Sequence, residues 1–168
     1  FMADGLKISA SISADDGTAA TTAVALESSW GLGATYVTSA GDTAITIGAG
    51  IADSEFKDSA QDAPSSNGFH VGFSAVTGDL TVAAGYANGD KVRATPEIAL
   101  FDATTTKVGV KYVAGDVTLS AGFTSGEVDD NGTITAASGD TDTKDVTELG
   151  ISYAVASGVT ANLGWSDI

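Results

Sequence analysis

The chain of 168 residues contains no cysteine and only two prolines. Without cysteine, disulfides, thiolate nucleophiles and cysteine-ligated zinc or iron sites are excluded. Positive charge is scarce as well, because 7 Lys and Arg stand against 22 Asp and Glu, for a formal net charge of −15. So acidic a chain repels a phosphate backbone and offers no basic patch, which argues against nucleic acid as a partner.

Long apolar runs are also missing. No stretch approaches the roughly 18 apolar residues that a membrane-spanning helix requires. Glycine, in contrast, is abundant, with 21 residues, and hydrophobic residues make up 43% of the chain. The composition therefore indicates a folded chain and excludes helical membrane proteins, while membrane-spanning β-barrels stay open.

The stretch TKVGVKYVAGDVTLSAGF, residues 106–123, alternates between apolar and polar residues on both sides of a Gly-Asp pair. A period of two predicts a β-hairpin with one apolar and one polar face. The pattern recurs along the chain and predicts nine antiparallel strands with no helix. Tight turns rich in Gly and Asp alternate with long polar connections, over residues 14–21, 52–67, 88–103 and 124–145. This order predicts an up-and-down meander with every tight turn at one end.

The apolar face carries few large aromatic residues, and these cluster at strand ends. A packed soluble core needs bulky, interdigitating side chains, whereas two aromatic rings with aliphatic residues between them are typical of a barrel that faces lipid. We therefore predict that the apolar face contacts lipid. The predicted interface residues are the turn-end aromatics Tyr36, Tyr112 and Tyr153 and the far-end aromatics Tyr86, Phe123 and Trp165.

The opposite face consists mainly of Ser, Thr and Gly, which suits the wall of a water-filled lumen. The charged or titratable residues predicted to line the pore are Lys7, Glu27, His70, Lys107, Lys111 and Glu148. Lys107 and Lys111 lie about 13 Å apart on the same side of one strand. Such charges either set the ion preference of a pore or merely solvate its wall.

Motifs for chemistry are scarce. The single histidine, His70, has no catalytic partner nearby in sequence. The chain contains no GxSxG motif, no HExxH motif and no phosphate-binding glycine loop. The sequence thus predicts that the protein is not an enzyme. Two acidic stretches either bind calcium through loop oxygens or are solvated loop residues. Neither stretch fits the EF-hand pattern. The candidate calcium ligands are Asp129, Asp130, Asp140 and Asp142.

The hairpins GVKYVAGDVTLSAGF, GFSAVTGDLTVAAGY and GISYAVASGVTANLGW resemble those of bacterial outer-membrane porins, in particular the general porins of Rhodobacter-like alphaproteobacteria. The resemblance covers essentially the whole chain and rests on pattern rather than on an invariant motif. It implies a barrel of about sixteen strands in the outer membrane of a Gram-negative bacterium. It also implies a homotrimer, in contact with lipid and lipopolysaccharide, that passes small hydrophilic solutes without a cofactor.

Residues 1–168 are accordingly expected to form a single segment of an all-β, antiparallel, up-and-down transmembrane β-barrel. The segment holds about nine of the sixteen strands and lacks a constriction loop and the closing C-terminal strand of such porins. Two alternatives stay open at this point. One is a non-transporting outer-membrane barrel or adhesin with acidic loops that bind partners or calcium, and the other is a secreted soluble β-sandwich binding module.

Overall fold

The computed structural model describes residues 2–14, 25–57, 65–94, 98–133 and 141–168. These residues form one antiparallel sheet in which ten strands follow each other in chain order. The strands are β1 (Met2–Ala3), β2 (Leu6–Ala14), β3 (Ala25–Ala40), β4 (Thr43–Lys57), β5 (Ser66–Thr77), β6 (Leu80–Ala94), β7 (Ile98–Ala114), β8 (Val117–Thr133), β9 (Thr141–Ala156) and β10 (Val159–Asp167). The predicted up-and-down architecture is confirmed, and the tenth strand is the short β1. The described ranges contain no helix with the length and hydropathy needed to cross a membrane.

Three tight turns share one conformation. Gly41, Gly78 and Gly115 each take the first of two turn positions, with φ of 58°, 55° and 60°, and an Asp follows each of them. Glycine with positive φ at the first turn position is the signature of a type II′ turn, whose twist matches that of the flanking strands. The Gly-Asp pairs in the sequence therefore mark hairpin turns at the predicted places.

The strand register confirms that the apolar residues share one face. Val82 pairs with Val110, Val110 with Ala121, and Ala121 with Leu149. Directly opposite residues of an antiparallel pair point to the same side of the sheet. A neighbouring row on the other side consists of Gly72, Gly85, Lys107, Thr124 and Val146.

The grooves of the sheet open mainly along its polar positions, and from this we infer that the polar face is concave. Two open grooves, of about 630 Å³ and 460 Å³, follow it; the first is lined by residues that include Ser9, Thr35 and Ser74, and the second by residues that include Ser120 and Glu148. A groove forms where a sheet curves towards itself, so the apolar face is convex. We call these two sides the concave polar face and the convex apolar face.

No part of the described chain packs as a core against the convex apolar face. Val108, Val110 and Tyr112 are 48%, 42% and 47% exposed, and no large side chain among the described residues is fully buried. A soluble β-sandwich covers such a face with a second sheet about 10 Å away. The described sheet instead presents its apolar side outward.

The strands are tilted relative to the line of tight turns. One row of paired residues begins at Leu6, directly after the tight turn Asp4-Gly5 between β1 and β2. It ends at Asp167, at the opposite end of β10. On β9 this row passes through Thr147, nine residues before Ala156 at the last tight turn. With about 3.3 Å per residue and 4.8 Å per strand, the offset corresponds to a tilt of about 40°. Transmembrane barrels have tilts of about 35–45°.

The strands are longer than the sequence pattern indicated. Much of the predicted loops 88–103 and 124–145 belongs to strands, because β7 and β8 each extend over 17 residues. About nine to eleven tilted residues cross the hydrocarbon of a bilayer. Beyond that length both faces meet water, so the apolar alternation disappears while backbone pairing continues.

The two faces predict different responses to a buried charge. Val110 on the convex face and Ser120 on the concave face lie on neighbouring strands, where Val110 pairs with Ala121 and Ser120 with Lys111. Val110→Arg is expected to lower the free energy of unfolding in lipid by about 2–4 kcal/mol, the cost of Arg on a lipid-facing strand near the midplane. Ser120→Arg, the matched control, is expected to cost much less. Equal losses in denaturant titrations of the two variants in lipid vesicles would contradict the assignment of the faces.

Candidate functional site

Five of the six residues predicted to line a pore lie on the concave polar face. Their strand partners belong to this face, and all five are exposed: Lys7, His70, Lys107, Lys111 and Glu148. The alternation of the sequence therefore predicted their face correctly. Whether they border an ion path stays a prediction.

Glycines lie directly opposite the larger side chains of this wall. His70 pairs with Gly50, and a Cβ atom built at Gly50 would lie 2.5 Å from His70 Cε1. The imidazole therefore lies across the glycine rather than projecting away from the sheet. Glu148 pairs with Gly122 in a similar way, with a carboxylate oxygen 3.9 Å from the position of such a Cβ. Glycine at these positions leaves room for long side chains to stay close to the wall.

Glu27, the sixth predicted pore residue, lies at an interruption of the strand alternation. The register shifts between Leu26 and Ser28, since Leu26 pairs with Phe56 and Ser28 with Glu55. Glu27 is thus the extra residue of a β-bulge, which interrupts the alternation from which its position was predicted. Period-two counting does not assign Glu27 to the concave polar face.

Lys107 and Lys111 are two cationic residues on the same side of β7. Lys107 pairs with Gly85 and Thr124, and Lys111 pairs with Ser120. Within the described residues neither lysine forms an ion pair.

An acidic row crosses the convex face beyond the far-end aromatics. Asp90 pairs with Asp102, and Asp102 pairs with Asp129. At one end Asn67 donates from Nδ2 to Asp90 Oδ2 over 2.8 Å, and at the other Thr141 Oγ1 donates to Asp129 Oδ1. Sequence reasoning missed this row, because its members lie in segments 88–103 and 124–145, which were predicted as loops and which the structure assigns largely to strands.

The acidic row contains a carboxyl group with a raised pKa, that of Asp90. Asp90 lies four residues beyond Tyr86, outside the membrane-spanning part of β6. Burial raises the pKa of Asp90, and the hydrogen bond and the negative charge of Asp102 raise it further, while the backbone N–H of Asn67 lowers it. The pair Asp90–Asp102, which we call the carboxyl pair, thus favours holding a proton between its two carboxyl groups.

The six aromatics predicted for the membrane interfaces all lie on the convex apolar face, and they are between 37% and 54% exposed. Phe69 adds to the far-end group, since its ring centroid lies 5.8 Å from that of Tyr86. The sequence contained the signal, because Phe69 opens the alternation of β5, but only the β5–β6 register shows the two rings as neighbours. The interface role of these residues stays a prediction.

The candidate calcium ligands are only partly described. Asp129 pairs with Thr141 and Asp142 with Val128, so the two carboxylates belong to opposite faces of the sheet. Asp140 and the side chain of Asp130 lie outside the described residues. In the part that is described, no group of three acidic or histidine side chains could hold a metal ion. Calcium binding stays a prediction.

These features define a β-sheet of the outer-membrane barrel type, and comparison with known proteins identifies its family. A family model for Gram-negative porins matches residues 2–168, so the chain belongs to the Gram-negative porin family and is an outer-membrane protein. No curated protein sequence gives a significant match.

Two solved structures share the fold. One is the loop L8 deletion mutant of OmpT, an outer membrane protein of Vibrio cholerae, with 21% identity and a TM-score of 0.62; the match covers 99% of this chain and 55% of that one. The other is in-vitro folded OmpT of Vibrio cholerae in a trimer form, with 19% identity and a TM-score of 0.52, covering 95% and 54%. The chain thus spans about half the length of these structures.

The carboxyl pair predicts a pH-dependent stability. Folding raises the pKa of Asp90, so protonation of Asp90 favours the folded state at low pH. This contribution to the free energy of unfolding is lost as the pH rises through the pKa of the folded protein. Asp102→Asn removes the facing charge, so it is expected to stabilise the fold at pH 7 by a few tenths of a kcal/mol, the scale of a cross-strand charge pair. The gain is expected to vanish near pH 4.

The measurement is denaturant unfolding of the lipid-reconstituted protein at both pH values. Asp145→Asn is the matched control, because Asp145 lies on the same face opposite Ser125 rather than another acid. A gain from Asp102→Asn that is the same at pH 4 and pH 7, or a loss at pH 7, would contradict the carboxyl pair.

Proposed function

We propose that the chain forms part of the wall of a water-filled outer-membrane channel through which small hydrophilic solutes and ions diffuse passively. The observation that carries this proposal is the two-faced sheet, which is convex and apolar on one side and concave and polar on the other. The convex side fits lipid and the concave side fits water. The proposal involves no catalytic step.

The concave polar face has the properties of a channel wall. Its rows consist of small residues with a few long charged ones among them, as in the row of Gly48, Gly72, Gly85 and Lys107. Small hydroxyl and glycine positions keep a lumen wide and hydrated, and the charged positions act on ions that pass. A soluble sandwich would require this arrangement to be reversed, with the apolar side covered.

Closure of the barrel requires further strands. Within the described sheet, β1 and β10 each have one neighbouring strand, so each leaves an unpaired backbone edge. An unsatisfied backbone group in hydrocarbon costs several kcal/mol. We therefore propose that residues 1–168 are one segment of a barrel of about sixteen strands. The remaining strands come from a longer chain or from other copies.

Assembly and surroundings follow the resemblance. OmpT of Vibrio cholerae has a trimer form, which supports a homotrimer for this porin as well. Lipopolysaccharide is the proposed neighbour of the far-end half of the convex face, and a Rhodobacter-like alphaproteobacterium is the proposed source. Both proposals rest on the resemblance of the repeated hairpins.

Conductance tests the proposed function. The porin that contains this chain is expected to produce stepwise ion currents when it is added to planar lipid bilayers. Lys107→Glu together with Lys111→Glu is expected to keep the fold, because both side chains project into water, and to shift the reversal potential in a salt gradient towards cations. A reversal potential identical to that of the unmodified protein would show that these lysines lie away from the ion path.

A further inference from the structure

Charge is sorted between the two faces of the sheet. Carboxylates dominate the convex face beyond the far-end aromatics, at Asp53, Glu55, Asp90, Asp102, Glu127, Asp129 and Asp145. The tight turns carry more, at Asp42, Asp79 and Asp116. Between the turn-end and far-end aromatics, the charges that the described strands place on the concave polar face are instead Lys7, Lys107, Lys111 and Glu148. The wall is thus cationic in a chain whose formal net charge is −15.

Screening decides which charges an ion inside the lumen meets. The Debye length is about 8 Å at physiological ionic strength. Lys107 and Asp102 are five residues apart on β7, or about 17 Å, and they lie on opposite faces. The acidic row therefore contributes little to the potential beside Lys107.

The nearer carboxylates offset the lysines only in part. Asp79 lies beside the turn end of β7, where its backbone oxygen accepts from Val113 N over 3.0 Å, so its charge opposes that of Lys111. Glu148 lies two strands from β7, in the row of Gly109, about 12 Å from the Cα atoms of either lysine. In the described structure no carboxylate pairs directly with Lys107 or Lys111.

We propose that this wall gives the channel a preference for small anionic solutes over cations, against the net charge of the chain. The inference rests on the proposed channel function and names its solute class. An anion that follows the concave polar face meets two unpaired ammonium groups in succession, about 13 Å apart along one strand. Small residues surround both lysines, so the electrostatic potential of the two ammonium groups extends into the lumen and is not cancelled within an ion pair.

The test is the reversal potential of the porin containing this chain in a KCl gradient near 0.1 M, with chloride and potassium as the probes. The unmodified protein is expected to pass chloride in preference to potassium. Lys107→Gln together with Lys111→Gln is expected to lower the chloride-to-potassium permeability ratio by about twofold or more. Glu148→Gln is expected to raise the same ratio. Opposite shifts exclude general misfolding as the cause.

Asp102→Asn is the matched control, because it removes a charge from the convex face and is expected to leave the permeability ratio unchanged. A preference for potassium that the lysine variants do not alter would overturn the inference while the channel function stands. A preference that moves with Asp102→Asn would overturn it too, since the outer carboxylates would then set the selectivity. Absence of any current would contradict the proposed function itself.

Discussion

Backbone hydrogen bonding in hydrocarbon is the constraint on which the rest of this structure depends. A chain that crosses lipid without a helix satisfies its N–H and C=O groups only by pairing each strand with its neighbours. The ladder of ten strands does this from Met2 to Asp167 within the described ranges, in strict chain order. Tight turns continue the pairing at the strand ends, as where Gly5 O accepts from Val37 N over 2.8 Å.

The strand register fixes the composition of both faces at once. A slip of one residue would move every apolar side chain of a strand into the concave polar face. The register therefore sets where the lysines point as firmly as it sets where Val82 and Val110 point. The register also sets the tilt of about 40°. Each strand is offset along its length relative to the one before it, so the apolar band lies further along each successive strand.

The sequence predicted those features that depend on near neighbours. The hairpin over 106–123 was predicted correctly because period-two alternation and the Gly115-Asp116 turn are local signals. The paired row Asp90, Asp102 and Asp129 was missed, since its members lie in polar strand extensions without apolar alternation that were predicted as loops. The face of Glu27 stays a prediction, because a bulge beside it changes the count by one residue and leaves no mark in composition.

The candidate wall was predictable for the same reason as the hairpin. His70, Lys107, Lys111 and Glu148 alternate with apolar residues on their own strands, so the face of each follows from its immediate neighbours. The sorting of charge between the faces was harder to see, because most carboxylates come from the polar strand extensions that resembled loops. Only the ladder shows that these extensions continue the convex face.

A labelling scan of β7 tests the central claim that the convex face meets lipid. The chain has no cysteine, so single cysteines at positions 107 to 112 can each carry a spin label in the lipid-reconstituted protein. We predict that labels at 108, 110 and 112 collide with oxygen dissolved in the lipid, whereas labels at 107, 109 and 111 collide with a water-soluble nickel reagent. Labels at the even positions that are shielded from both reagents would indicate a packed protein core and would contradict the account.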